Sequence, residues 1–182
     1  DGGADADQIS ADLSAATGAI AWNLITNSYS GPMGSFTNFE FFGTVSTGSG
    51  NDVLVSGSGT RHETLNTGSG DDSVTVSGGN DSVILGTGDD TLIIDWTNVF
   101  ATAYVSSGPN VNGVGGGWDG QFYANDGSYV TFSSVENFHI STSVGGDTIT
   151  TANGDDVVNS GDGNDLVNVG AGNDTANGEG GI

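Results

Sequence analysis

The sequence predicts an all-β protein, a stack of short strands joined by tight glycine turns. Three observations carry this expectation. Glycine supplies 33 of the 182 residues and proline only two. A nine-residue unit recurs along two stretches, each copy reading glycine, any residue, acid, any residue, apolar residue. The stretches between hold nearly all the aromatic residues, in the alternating order of strands.

The repeat is the strongest of the three, because a fixed period identifies architecture directly. TGSGNDVLV (47–55), TGSGDDSVT (67–75), VSGGNDSVI (76–84) and LGTGDDTLI (85–93) form the first run. TSVGGDTIT (142–150), TANGDDVVN (151–159), SGDGNDLVN (160–168) and VGAGNDTAN (169–177) form the second. The acid slot holds Asp52, Asp72, Asp81 and Asp90, then Asp147, Asp156, Asp165 and Asp174. Within each run the step is nine residues except between Asp52 and Asp72. That gap contains SGSGTRHETLN (56–66), one unit enlarged by two residues, which puts Glu63 in the acid slot. The apolar slot holds Leu54, Leu65, Val74, Val83 and Leu92, then Ile149, Val158, Val167 and Ala176. A fainter copy lies at 2–10, with Asp7 and Ile9 in the two slots.

Each unit can form a glycine turn and a short strand. The turn needs positive φ and close backbone approach, which glycine permits. Strand side chains alternate, so the apolar residue points inward. Two units then make one coil of eighteen residues with turns on opposite edges. Coils stack about 4.8 Å apart, and acids eighteen residues apart lie above one another. The expected pairs are Asp52/Asp72, Asp72/Asp90, Glu63/Asp81, Asp147/Asp165 and Asp156/Asp174. Carboxylates and turn carbonyls between coils make an all-oxygen, negative cage, which suits Ca²⁺ better than Zn²⁺, Cu²⁺ or the strictly octahedral Mg²⁺. About five full sites follow from this pairing. The turn backbone contributing carbonyls lies at Gly48, Gly50, Gly68, Gly70, Gly79, Gly86 and Gly88, and at Gly145, Gly154, Gly161, Gly163, Gly170 and Gly172.

Composition agrees. With 23 acids, one arginine and no lysine, the formal net charge is −22, and no basic face relieves the self-repulsion. Nucleic acid and anionic membrane are poor partners for such a chain. There is no cysteine for a disulfide or thiolate site, and no apolar run approaches the roughly 18 residues of a membrane span. The chain starts at Asp1 and stops at Ile182 in mid-pattern, so it reads as a piece of something longer. A second copy joined to Ile182 would place its Asp1 nine residues after Asp174.

The units at 47–93 and 142–182 resemble the RTX (hemolysin-type calcium-binding) repeat family, over about half the chain. The resemblance implies a right-handed parallel β-roll with Ca²⁺ between turns. It also implies type I secretion from a Gram-negative bacterium and an extracellular or cell-surface location. The expected organisation is a β lead-in over 1–46, a first array over 47–93, a second lead-in over 94–141 and a second array over 142–182. The lead-ins resemble each other: FTNFEFF (36–42) parallels FSSVENF (132–138), and Asp12 parallels Asp95. Both wider coils of the roll and a separate small β-sandwich fit them. Trp22, Trp96, Trp118, Phe122, Tyr123 and Phe132 are expected to fill a core, with a sugar-binding platform as the alternative. GVGGGWDG (113–120) reads as a hairpin loop, lacking the helix and lysine of a phosphate loop.

No catalytic constellation is visible. His62 and His139, the two histidines, show no Ser/His/Asp or metal-ligand spacing. His62 is expected to be solvated and His139 to pack in a strand. The chain is therefore expected not to be an enzyme. The thin apolar file makes metal-binding energy the folding energy. Extracellular calcium modules bind at roughly 10⁻⁴ to 10⁻³ M, so folding is expected outside the cell. Two roles are open: a structural module of a large adhesin, surface layer or fibre, or an export and folding module of an exoenzyme or toxin. Partners beyond calcium would be neighbouring copies or surface glycans.

Overall fold

The computed structural model describes residues 2–57, 59, 61–99, 103–111 and 117–181, with the backbone alone over 103–111. The first lead-in forms β1 (Gln8–Asp12), the hairpin β2 (Ala21–Asn23) and β3 (Ser28–Ser30), and β4 (Phe41–Ser46). The first array forms β5 (Val53–Val55), β6 (Thr64–Asn66), β7 (Ser73–Val76), β8 (Asn80–Ile84) and β9 (Thr91–Asp95). The second lead-in forms β10 (Ala103–Val111), β11 (Trp118–Ala124), β12 (Tyr129–Val135) and β13 (Asn137–Ser141). The second array forms β14 (Thr148–Thr150), β15 (Val157–Asn159), β16 (Leu166–Asn168) and β17 (Thr175–Asn177).

Successive array strands alternate between two facing sheets. The first runs β1-β4-β6-β8-β12-β11-β10-β14-β16, and the second β17-β15-β13-β9-β7-β5-β2-β3. Every pairing within and between the array strands is parallel, and units eighteen residues apart align, as in Leu65↔Val83 and Ile149↔Val167. The chain is a parallel β-roll. Among the described residues no helix is long and apolar enough to cross a membrane.

The lead-ins widen this roll rather than standing apart from it. β1 pairs parallel with β4 and β2 with β5, so the first lead-in supplies strands to both sheets. β13 lies between β9 and β15 and carries the second sheet from one array into the other. In the first sheet, β12 pairs with β8 and β10 with β14, while antiparallel β11 fills the space between. The hairpin β2–β3 thus enlarges the second sheet, and β10–β12 enlarge the first.

Alternation extends inward further than one apolar residue per unit. After the acid and Leu54, Leu65 or Ile149, a third inward residue follows: Ser56, Thr67 or Thr151. In β7 and β9, and just after β8, it is instead apolar, at Val76, Ile94 and Leu85. The buried threonines donate to stacked carbonyls, Thr47 to Thr67 at 3.0 Å and Thr67 to Leu85 at 2.8 Å. The thin file thus continues at its end as a hydroxyl ladder, in which Thr47 and Thr67 are satisfied.

Two aromatic clusters fill the wider coils. Trp22 stacks on Phe36 with centroids 4.6 Å apart and meets Tyr29 and Phe42 edge-on. Phe122, Phe132 and Phe138 form a triad with centroids 5.0 to 5.7 Å apart. Trp22, Trp96, Phe122 and Phe132 are buried, which removes them from any sugar platform, while Trp118 and Tyr123 are half-buried. Trp118, Asp119 and Gly120, read from sequence as loop, open β11, with Gly117 just before it; residues 113–116 of that stretch fall outside the described residues.

Candidate metal centre

The acids collect on the two edges of the roll. Turns entering the second sheet carry Asp52, Asp72, Asp90, Asp156 and Asp174. Turns entering the first sheet carry Glu63, Asp81, Asp147 and Asp165. One contact repeats between coils: the backbone N–H of one acid donates to a carboxylate oxygen of the acid above. Asp52 donates to Asp72 Oδ1 and Asp72 to Asp90 Oδ1, both at 2.8 Å. Glu63 donates to Asp81 Oδ1 at 3.1 Å, Asp147 to Asp165 Oδ1 at 2.9 Å and Asp156 to Asp174 Oδ1 at 3.0 Å. All five pairs expected from the spacing are stacked. The two-residue enlargement before Glu63 does not expel it, since Glu63 is buried beside Asp81.

The second oxygen decides the chemistry. Oδ2 of Asp52, Asp72, Asp81, Asp90 and Asp156 is buried without a hydrogen-bond partner, in residues at most 2 % exposed. Burying a carboxylate oxygen without a partner costs several kcal/mol unless a proton or a cation accompanies it. Burial accordingly pushes Glu63 up to about 8, with the Asp81 charge adding to it. Burial also raises Asp81 and Asp90 to about 7 and Asp72 to about 6, against the opposing backbone hydrogen bonds. Asp156 moves in the same direction for the same reason. The second oxygen of Asp165 has a partner: Ser160 Oγ donates to its Oδ2 at 2.7 Å.

Among the described residues no three His, Cys, Asp or Glu side chains gather as a metal cluster. Any ion between coils would draw its remaining ligands from backbone carbonyls, the donor set of a hard cation. The turns stack closely enough for this: a Cβ on Gly88 would land on the Gly70 carbonyl oxygen, and one on Gly172 on that of Gly154. The donor set therefore fits Ca²⁺.

A comparison with protein families found one model, the RTX calcium-binding nonapeptide repeat (4 copies), matching residues 44–61, 58–92 and 141–181. The chain belongs to the RTX calcium-binding repeat family. No curated protein and no solved structure matched it.

Within the RTX arrays the glycines divide by purpose. Gly68 and Gly86 hold φ of 93° and 104°, which other residues rarely adopt, and Gly70, Gly79, Gly88, Gly145, Gly154, Gly161, Gly163 and Gly170 also have positive φ. Gly48, Gly50 and Gly172 are not among the positive-φ residues, so there the requirement is close approach alone. Glu136 and Glu40, outside the family's nonapeptide, also join the acid stack. Glu136 accepts the Asp90 N–H at Oε2, 3.0 Å away, and Glu40 accepts that of Asp7 at 2.8 Å. The residues two before them, Ser134 and Asn38, have φ of 60° and 58°, standing in for the glycine. Two residues after them, Phe138 and Phe42 are fully buried in the apolar slot. The signal was in the parallel between FTNFEFF and FSSVENF, masked because neither segment contains the glycine.

Outside the carboxylate stack a second ladder joins exposed residues. Asn51 Oδ1 accepts from Asp71, Asp71 Oδ1 from Asp89, Asn137 Oδ1 from Asp155 and Asp155 Oδ1 from Asn173. On the other edge His62 takes the equivalent place, its Nδ1 accepting the Asn80 N–H at 3.1 Å. His62 is exposed as expected, yet it is also tied into the turn stack. His139 packs within β13, between β9 and β15, so the histidines are not one site.

Proposed function

We propose that this calcium-binding module folds on Ca²⁺ outside the cell and serves as a structural unit of a large secreted or surface protein. The unpartnered, buried Oδ2 atoms carry the reading. Asp52, Asp72, Asp81, Asp90 and Asp156, with Glu63, Asp147, Asp165 and Asp174 and the turn carbonyls, would hold the ions at about five sites. Bound Ca²⁺ supplies the positive charge that a chain of formal net charge −22 lacks.

The protein's own residues do the rest. Asp52, Asp72, Asp81, Asp90, Asp156, Asp165 and Asp174 each accept a backbone N–H of the coil below at Oδ1, which sets the register. Glycine carbonyls line the gap, and the buried Leu, Val and Ile exclude water from the interior. At extracellular concentrations, on the order of 10⁻³ M, such sites fill, whereas cytosolic calcium is too low. The unfolded chain would thread a type I secretion channel and fold outside.

A structural role is favoured over catalysis by the architecture. Both lead-ins and both arrays form one stack, and the two histidines lie apart. The test is far-UV circular dichroism through a Ca²⁺ titration with a Mg²⁺ control. A coil-to-β transition specific to Ca²⁺, at millimolar concentration or below, is expected. A β spectrum that survives exhaustive chelation would overturn calcium-driven folding. Flanking sequence then separates roles: further copies mean an extender or fibre, and an adjoining lipase, protease or toxin domain means an export and folding module.

A further inference from the structure

We propose that Asp90 and Glu136 hold a further Ca²⁺ ion at the junction of the two arrays, a site carried by the lead-in strand β13. The proposal rests on reading the arrays as calcium-binding, and it lies outside their nonapeptides, since no matched segment includes residue 136.

Glu136 meets the geometric criteria of an array acid. In the arrays, the acid's N–H donates to the carboxylate above, and the residue after the upper acid donates back to the lower acid's carbonyl. Asp72 and Asp90 show both contacts at 2.8 Å, through the Asp72 N–H and the Thr91 N–H. Asp90 and Glu136 repeat them at 3.0 Å and 2.9 Å, through the Asp90 N–H and the Asn137 N–H. Glutamate is one methylene longer than aspartate, and its Oε2 occupies the position Oδ1 takes elsewhere. Ser134 stands two residues before Glu136, as Gly88 stands two before Asp90, and both have positive φ, 60° and 152°.

The independent observation is Asp90. It is 0 % exposed, its Oδ1 is used by Asp72, and its Oδ2 is buried without a partner. The negative charges of Asp72, Glu136 and Asp71 all act on Asp90. Asn137 Nδ2 donates to Asp89 Oδ1 at 2.7 Å and reaches the Asp90 carbonyl at 3.4 Å, closing the outer side. Gly117 closes another side, where a Cβ would run into Glu136 Oε1.

Beyond Glu136 the register moves. The Phe138 N–H donates to Asp156 Oδ1 at 2.8 Å, so the second array's acid lies opposite Phe138 rather than Glu136. The lead-in thus receives the first array at Glu136 and passes the stack to the second array two residues later. An ion at Asp90/Glu136 fastens β13 to β9 as firmly as the array strands are fastened to one another, so calcium-driven folding runs through the lead-in.

Equilibrium dialysis of the full chain in saturating Ca²⁺ counts the ions. Glu136→Gln keeps an acceptor for the Asp90 N–H and removes the charge. It should bind one ion fewer than wild type while its circular dichroism stays native, and Glu136→Asp should keep the count at weaker affinity. An unchanged count in Glu136→Gln overturns the proposal. A wild type that binds no calcium overturns the wider reading instead. Because a variant can fail to fold, wild type crystallised in calcium supplies a second measurement. A long-wavelength anomalous peak between Asp90 and Glu136 supports the site, and water there refutes it.

Discussion

Asp72 sits inside a run of stacked acids, donating its N–H to Asp90 and accepting that of Asp52. Asp174 takes part in one such described contact, from Asp156. Asp72→Ala should therefore raise the calcium midpoint of folding more than Asp174→Ala, by several-fold; equal shifts in a titration followed by circular dichroism would refute the edge pairing. Protonation offers these carboxyls a second route to neutrality. Their folded values, about 6 for Asp72, about 7 for Asp81 and Asp90 and about 8 for Glu63, lie above the ordinary 3.8 and 4.5. The folded chain thus binds protons more tightly than the unfolded chain. The contribution is complete below about pH 4 and is lost as pH rises through about 6 to 8. Calcium-free protein should gain β signal on acidification over this window, and a flat spectrum would contradict the burial of these groups.

The strand is the unit in which sequence was most legible. Leu54 and Val83 point into the core with at most 1 % exposure, as the nonapeptide phase requires. Leu54→Asp or Val83→Asp should block folding of the first array even in excess calcium, and a native spectrum for either would mean the register is wrong. The lead-in strands were visible as alternation, but their partners were not. Strand pairing there depends on contacts from distant sequence, such as Phe132↔Val83 and Trp22↔Leu54, which no local pattern encodes. The acids Glu40 and Glu136 escaped for a local reason: Asn38 and Ser134 adopt positive φ without being glycine. Phe138 joins these levels, packing on Phe122 and Phe132 in the strand that links the arrays. Phe138→Ala should cost about 3–5 kcal/mol, read as a lower melting temperature in saturating calcium. A loss under about 1 kcal/mol would mean that the triad carries little of the junction.

At the scale of the whole molecule, the roll behaves as a one-dimensional stack in which each coil contacts its neighbours. Removing eighteen residues, 73–90, takes out one complete coil and should leave a foldable protein. Removing nine, 73–81, takes out half a coil, sets every later strand against the opposite sheet, and should leave no native melting transition; equal tolerance of both deletions would contradict the two-sheet alternation. The same count has a consequence for shape. The first array contributes five strands, β5 to β9, so the chain enters the second lead-in on the opposite side from where it entered the first. That is why β2–β3 thickens one face and β10–β12 the other. Parity, not length, governs this: an even array would pile successive insertions onto one flank and make the rod lopsided, whereas an odd array sets them on alternate flanks and keeps it balanced about its long axis.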